Sequence, residues 1–145
     1  MDFFKNFKIY YLKTSKGEIR YRKAGTGPGI LMLHGNPQTH VMWHKVAPAL
    51  TSKFTIVCPD IPGYGQSYKP KISKNHENYS KVSMASDMSE FMALLGYNKF
   101  YFIGHDRGAR IGHRLALDYP EKVLKLILLD IIPTIEHFER TNKEF

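Results

Sequence analysis

A single cysteine in 145 residues excludes an internal disulfide. Cys58 stands at the end of an apolar run and reads as a small buried hydrophobe. Long apolar runs are missing too. The opening Met-Asp-Phe-Phe-Lys-Asn-Phe has no stretch suited to a signal peptide, and no later run is long enough to span a membrane. The seven histidines show no metal-ligand spacing, so neither a metal nor any other cofactor is expected. Acidic residues are outnumbered, with 13 Asp and Glu against 21 Lys and Arg and a formal net charge of +8. The lysines are scattered, and no basic run alternates with stacking aromatics, which argues against nucleic acid as a partner. Surplus positive charge can also draw small anions into a cleft. A reducing, cytoplasmic setting is the expectation.

What is present is a chain of one domain's length, 43% hydrophobic and 13% aromatic, enough to bury a core. Residues 7–12 and 19–22 read as strands joined at the turn Thr14-Ser15-Lys16-Gly17. Ile30 to Leu33 is continuously apolar, as a central parallel strand would be, and Phe54 to Val57 repeats the pattern. Met42, Trp43, Val46, Ala47 and Leu50 form a short helical face that Pro48 limits, with Trp43 in the core. Asp60-Ile61-Pro62-Gly63-Tyr64-Gly65-Gln66-Ser67 turns away from the second strand, and the polar, basic stretch 69–79 follows. Met84, Met88, Phe91, Met92 and Leu95 make a helical stripe of core residues that Gly96 closes. Val123 to Leu129 is a further apolar strand. Strands thus alternate with helices, the pattern of an α/β fold with a mostly parallel sheet. His34, Asp60, Asp106 and Asp130 each follow a strand, so they should gather on the carboxyl rim where such sheets hold their sites.

The segment from Phe100 to Gly112 organises the rest. Phe100 to Ile103 reads as a short buried strand, and from Arg107 the spacing becomes helical, with Gly108, Gly112 and Ala116 in one small-residue stripe. Gly104-His105-Asp106-Arg107-Gly108 between them has the form of a nucleophile elbow with Asp in place of Ser. A carboxylate of ordinary pKa about 3.9 is ionised at neutral pH without a base. Its attack on an ester would give an anhydride. Attack on a saturated carbon bearing halide or epoxide oxygen gives an ester that water can cleave. Arg107 and Arg110 can share one side of the helix's first turn and bind a carboxylate there.

With Gly104-His105-Asp106-Arg107-Gly108-Ala109-Arg110, then His113-Arg114 and Leu128-Leu129-Asp130-Ile131-Ile132-Pro133-Thr134, the chain resembles the haloacetate (fluoroacetate) dehalogenases of the α/β-hydrolase fold. The resemblance implies that Asp106 is the nucleophile, that Arg107 and Arg110 hold a small anionic halogenated acid, and that Asp130 orients a catalytic His. His105 and Asn36 join the arginines as substrate-binding candidates. Relatives acting on neutral haloalkanes or epoxides typically have Trp after the nucleophile. In this fold the loop at His34-Gly35-Asn36-Pro37 and the residue after the nucleophile supply oxyanion-hole N–H groups, here near Asn36 and on Arg107. The His-Gly-Asn-Pro form is that of haloalkane dehalogenases, where the Asn helps to hold departing halide, so Asn36 is either a halide ligand or a turn residue.

The resemblance further implies that residues 1–133 are the N-terminal part of the hydrolase core and that 134–145 begin a truncated cap. The family's His and halide ligands would follow, and His137 is not expected to replace that His. The last strand would be left as an unpaired apolar edge, prone to aggregation. The full-length protein has room to be a homodimer. Three readings stand: a haloacid hydrolase; a haloalkane dehalogenase or epoxide hydrolase; and a fragment that binds a ligand or partner without turnover.

Overall fold

The computed structural model describes residues 4–141. The start of the N-terminal stretch, the end of the expected cap segment and the side chain of His137 lie outside what is described. Six strands form one sheet: β1 (Lys8–Lys13), β2 (Glu18–Ala24), β3 (Gly29–Leu33), β4 (Thr55–Pro59), β5 (Phe100–His105) and β6 (Val123–Leu129), in the order β1-β2-β4-β3-β5-β6. The first hairpin is antiparallel and joins β4 antiparallel. The remaining pairs, β4 with β3, β3 with β5 and β5 with β6, are parallel.

The continuous apolar runs of β3 and β4 follow from this placement. Both strands are covered on both faces, and every residue of each is buried. Leu31, Leu33, Val57, Phe100 and Phe102 enter one core beneath α2 (Lys81–Leu94) and α3 (Arg107–Asp118). Ile30, Met32, Ile56 and Cys58 enter the other, beneath Phe4, Phe7, Trp43 and Ala47. Each large side chain so buried contributes about 1.5–3 kcal/mol.

Helix α2 starts at Ser80, whose hydroxyl accepts from the Ser83 N–H at 3.1 Å, and stops before Gly96, at φ +87°. Its methionine stripe, Met84, Met88 and Met92, lies wholly in the first core. The region 40–50 departs from expectation. It forms a 3₁₀ turn (His40–Lys45) and then α1 (Ala47–Leu50), and Pro48 lies in the first turn of α1 instead of limiting the helix. A helix's first turn needs no N–H from that residue, so proline starts α1 at no loss. After β6, Asp130 leads to α4 (Thr134–Arg140). Leu124, Ile127 and Leu129 of the β6 edge are exposed, as the expectation of an uncovered apolar strand required. Among the described residues, no helix is long and apolar enough to cross a membrane.

Candidate active site

The strand β5 delivers the chain to Asp106, and α3 leaves from it. Asp106 takes φ +48°, ψ −113°, a conformation that L-residues rarely adopt and that stores about 1–3 kcal/mol. Neighbouring structure holds it there: its N–H donates to Leu129 O at 3.0 Å, and its carbonyl accepts from the Arg110 N–H at 3.1 Å. Close approach of backbone to backbone makes the bend possible. A Cβ on Gly108 would lie 2.5 Å from the carbonyl oxygens of both Leu33 and His34, so only glycine lets α3 settle against the end of β3.

The same economy of space brings the next loop to the carboxylate. A Cβ on Gly35 would sit 2.8 Å from Asp106 Oδ1. Without one, the Asn36 N–H donates to Oδ1 at 2.7 Å. Burial alone would raise the Asp106 pKa. The N–H groups of Asn36 and Arg107, with the charges of His105 and Arg107, outweigh it and hold the carboxyl below the ordinary carboxylate range. The expected oxyanion-hole donor at Asn36 therefore reaches this side chain. The result is an ionised oxygen beside a guanidinium, half exposed to the rim.

The other rim residues divide into supports and site groups. His34 is fully buried. Its Nε2 accepts from the Ile61 N–H at 3.0 Å, which leaves Nδ1 to donate to Gly35 O at 2.8 Å. Burial lowers its pKa, against the smaller opposing effects of the Gly35 carbonyl and Asp60, so the ring is neutral. Asp60 is buried beneath the loop it begins. It accepts from His40 Nδ1 at 2.7 Å, from the Gln66 N–H at 3.1 Å and from Arg20 at 3.2 Å. Burial would raise this carboxyl too, but the His40 contacts and the Gln66 N–H hold it well below the usual range. It is a structural anion, as the sequence segment suggested.

Asp130, at φ +59°, is exposed on the loop after β6, next to the nucleophile's strand. Its Oδ2 is 3.5 Å from His105 Nε2. The opposite nitrogen of His105 meets Gln38 Oε1 at 3.1 Å. That oxygen already accepts from the Gly35 N–H at 3.2 Å, so His105 Nδ1 is the donor. Asn36 turns its amide oxygen to the hydroxyl of Tyr64, which donates at 3.0 Å, and this leaves the NH₂ as its donor group. Arg107 is exposed and Arg110 half-buried on the first turn of α3. Asp106, Asn36, Arg107 and Arg110 thus share the rim, with the His105–Asp130 pair at the ends of β5 and β6 and Asp130 lining a cavity with Arg110. Sequence reasoning missed Gln38, Tyr64 and Lys81. Gln38, three residues past Gly35, fits a turn contact, but the others come from distant segments. Among the described residues, no three His, Cys, Asp or Glu side chains converge as a metal-ligand set.

Comparison with known proteins agrees with this fold. The alpha/beta hydrolase fold family matches residues 28–145. A fluoroacetate dehalogenase of a Burkholderia species is 52% identical over 120 residues, which cover 83% of this chain and 40% of that protein. The soluble epoxide hydrolase of Corynebacterium sp. (strain C12) is 39% identical over 115 residues, covering 79% of this chain and 38% of that protein. The crystal structure of ALR0039 from Nostoc sp. PCC 7120 superposes with a TM-score of 0.94 at 52% identity, covering 99% of this chain and 49% of that one. The chain spans about two fifths of the length of the curated relatives it matches.

Proposed function

Since the chain belongs to the α/β-hydrolase fold family, we propose that the complete protein removes halide from 2-haloacids such as haloacetates through an ester on Asp106. The Asp106 oxygen attacks the halogen-bearing carbon from behind, and the halide leaves with the bonding electrons. Arg107 and Arg110 hold the substrate carboxylate, and the Asn36 amide NH₂ faces the departing halide. Water then attacks the carbonyl carbon of the ester, releases the hydroxyacid and restores the carboxylate. Its proton passes to a His, contributed by the remainder of the protein, that Asp130 orients.

The observation that carries this reading is an ionised carboxylate at the elbow with guanidinium groups on the same helix turn. A neutral substrate gains nothing from that charge. The 52% identity to a fluoroacetate dehalogenase supports the same side. Epoxide opening is the second reading, favoured by the epoxide hydrolase at 39% identity. Chloride release from chloroacetate, set against styrene oxide opening, separates the two. In the complete protein, Asp106→Asn should abolish chloride release. Multiple turnovers in ¹⁸O-water should label the Asp106 carboxylate. Arg107→Ala should lower kcat/KM for chloroacetate by about 1.5–3 kcal/mol, roughly tenfold or more, while leaving any epoxide activity much less affected. An unlabelled carboxylate after repeated turnover refutes the ester.

A further inference from the structure

Lys81 is the first residue of α2. A cation there opposes the helix macrodipole, whose positive end lies at the N-terminus, so local energetics disfavour it. Topology adds to the conflict. In the parallel part of the sheet, α2 leads from β4 to β5 and α3 from β5 to β6, both packed on one face. Such crossover helices run against their strands, so both begin at the carboxyl rim. Lys81 therefore starts beside Arg107. Contacts across the rim lead to the same place: the Asn36 N–H donates to Asp106 Oδ1 at 2.7 Å, the Tyr64 hydroxyl donates to Asn36 Oδ1 at 3.0 Å, and a Cβ on neighbouring Gly63 would lie 3.0 Å from the ring of Tyr79, two residues before Lys81.

Three cations are thus gathered where a helix end already carries positive charge. Lys81 is half-buried, and neither it nor Arg107 has an ion-pair partner among the described residues. Burial pulls the ammonium below its ordinary pKa, Arg107 and Arg110 pull it further, and Asp106 opposes them. Such a cluster gains when more negative charge enters. The proposed reaction requires that, because it brings a second carboxylate up to one already ionised. Like charges that close would push protons onto one of them and stop the attack. The count of charge does not change as the reaction proceeds: two carboxylates become one carboxylate and one halide, with the ester neutral.

We propose that Lys81 is a specificity-determining residue of this site, a third cation that lets a substrate carboxylate bind beside an ionised Asp106. This rests on the haloacid reading given above. Unlike the arginines, which grip the carboxylate in a fixed geometry, Lys81 acts as a point charge on a flexible stem. Its contribution belongs to anion capture and is sensitive to salt.

The test compares wild-type, Lys81→Gln and Lys81→Arg forms of the complete protein on chloroacetate, with chloride release as the readout. Lys81→Gln is expected to raise KM about tenfold, the size of a unit charge acting over roughly 10 Å at an effective dielectric constant of about 20, with kcat changed less than about threefold. The dependence of kcat/KM on ionic strength should flatten, and Lys81→Arg should restore both. Because the lysine opposes the helix dipole, Lys81→Gln should melt no lower than wild type, which excludes a folding cause. A KM within twofold of wild type, or failure of Lys81→Arg to rescue, overturns the role of Lys81 and leaves the haloacid reading intact. Absence of chloride release from the wild type overturns both.

Discussion

Replacing Gly108 by alanine should damage catalysis more than stability. The added Cβ would stand 2.5 Å from two backbone oxygens, those of Leu33 and His34, at the end of a fully buried strand. Neither oxygen can rotate away as a side chain could. Carbon and oxygen rest at about 3.3 Å or more, so the start of α3 must retreat by about 0.8 Å. Overpacking of this kind typically costs about 1–3 kcal/mol. Alanine's better helix propensity returns up to about 1 kcal/mol, so a net loss of about 1–2 kcal/mol is expected. Retreat along the bond from Asn36 would stretch its 2.7 Å contact with Asp106 to about 3.5 Å, the limit of a hydrogen bond. Misplacement by about 1 Å can lower a rate about 10²-fold. Gly96→Ala is the control: at φ +87° it meets strain of about 1–2 kcal/mol, but nothing lies within 4 Å and the site is remote. Urea unfolding should find the two variants similarly destabilised, and the proposed halide release, assayed in the complete protein, should separate them. A Gly108→Ala protein with full rate and stability within about 0.5 kcal/mol of wild type refutes the packing argument.

Acid should weaken the fold in two stages. Burial depresses His34, so the unfolded chain takes up its proton first; that stability is complete above about pH 6.5 and is lost as pH falls from there. Asp60, held low by His40 and the Gln66 N–H against the effect of burial, adds a second loss only below about pH 4. Urea midpoints from pH 7 to 5 should fall less in His34→Gln than in wild type, and equal slopes would refute the assignment. Cys58 has no exposed surface, and burial raises its thiol, so iodoacetamide at pH 8 should label it only in urea. Prompt labelling of the native protein would contradict the burial.

The fold was legible wherever a buried element left a continuous apolar run or a helical stripe. β3, β4 and β5, and the Met84–Met88–Met92 face of α2, fall where the residues suggested, with ends shifted by one or two positions. The elbow was legible because tight geometry admits few residue types at 104, 106 and 108. Pro48 misled because proline both ends helices and begins them, and only the preceding 3₁₀ turn decides which. Tyr64 and Lys81 were invisible for a different reason. Tyr64 reaches Asn36 across 28 positions, and Lys81 shares a rim with the arginines only because two crossover helices begin there. Local sequence records none of that distance.

His34 shows how an imidazole can stand on such a rim and still be unusable. Its proton is committed to Gly35 and its lone pair to the Ile61 amide, so it tethers two loops and can neither give nor take a hydrogen ion. Reactivity and scaffolding are thereby kept in separate hands: this ring is a rivet between two loops, fixed in place beneath the bend it supports.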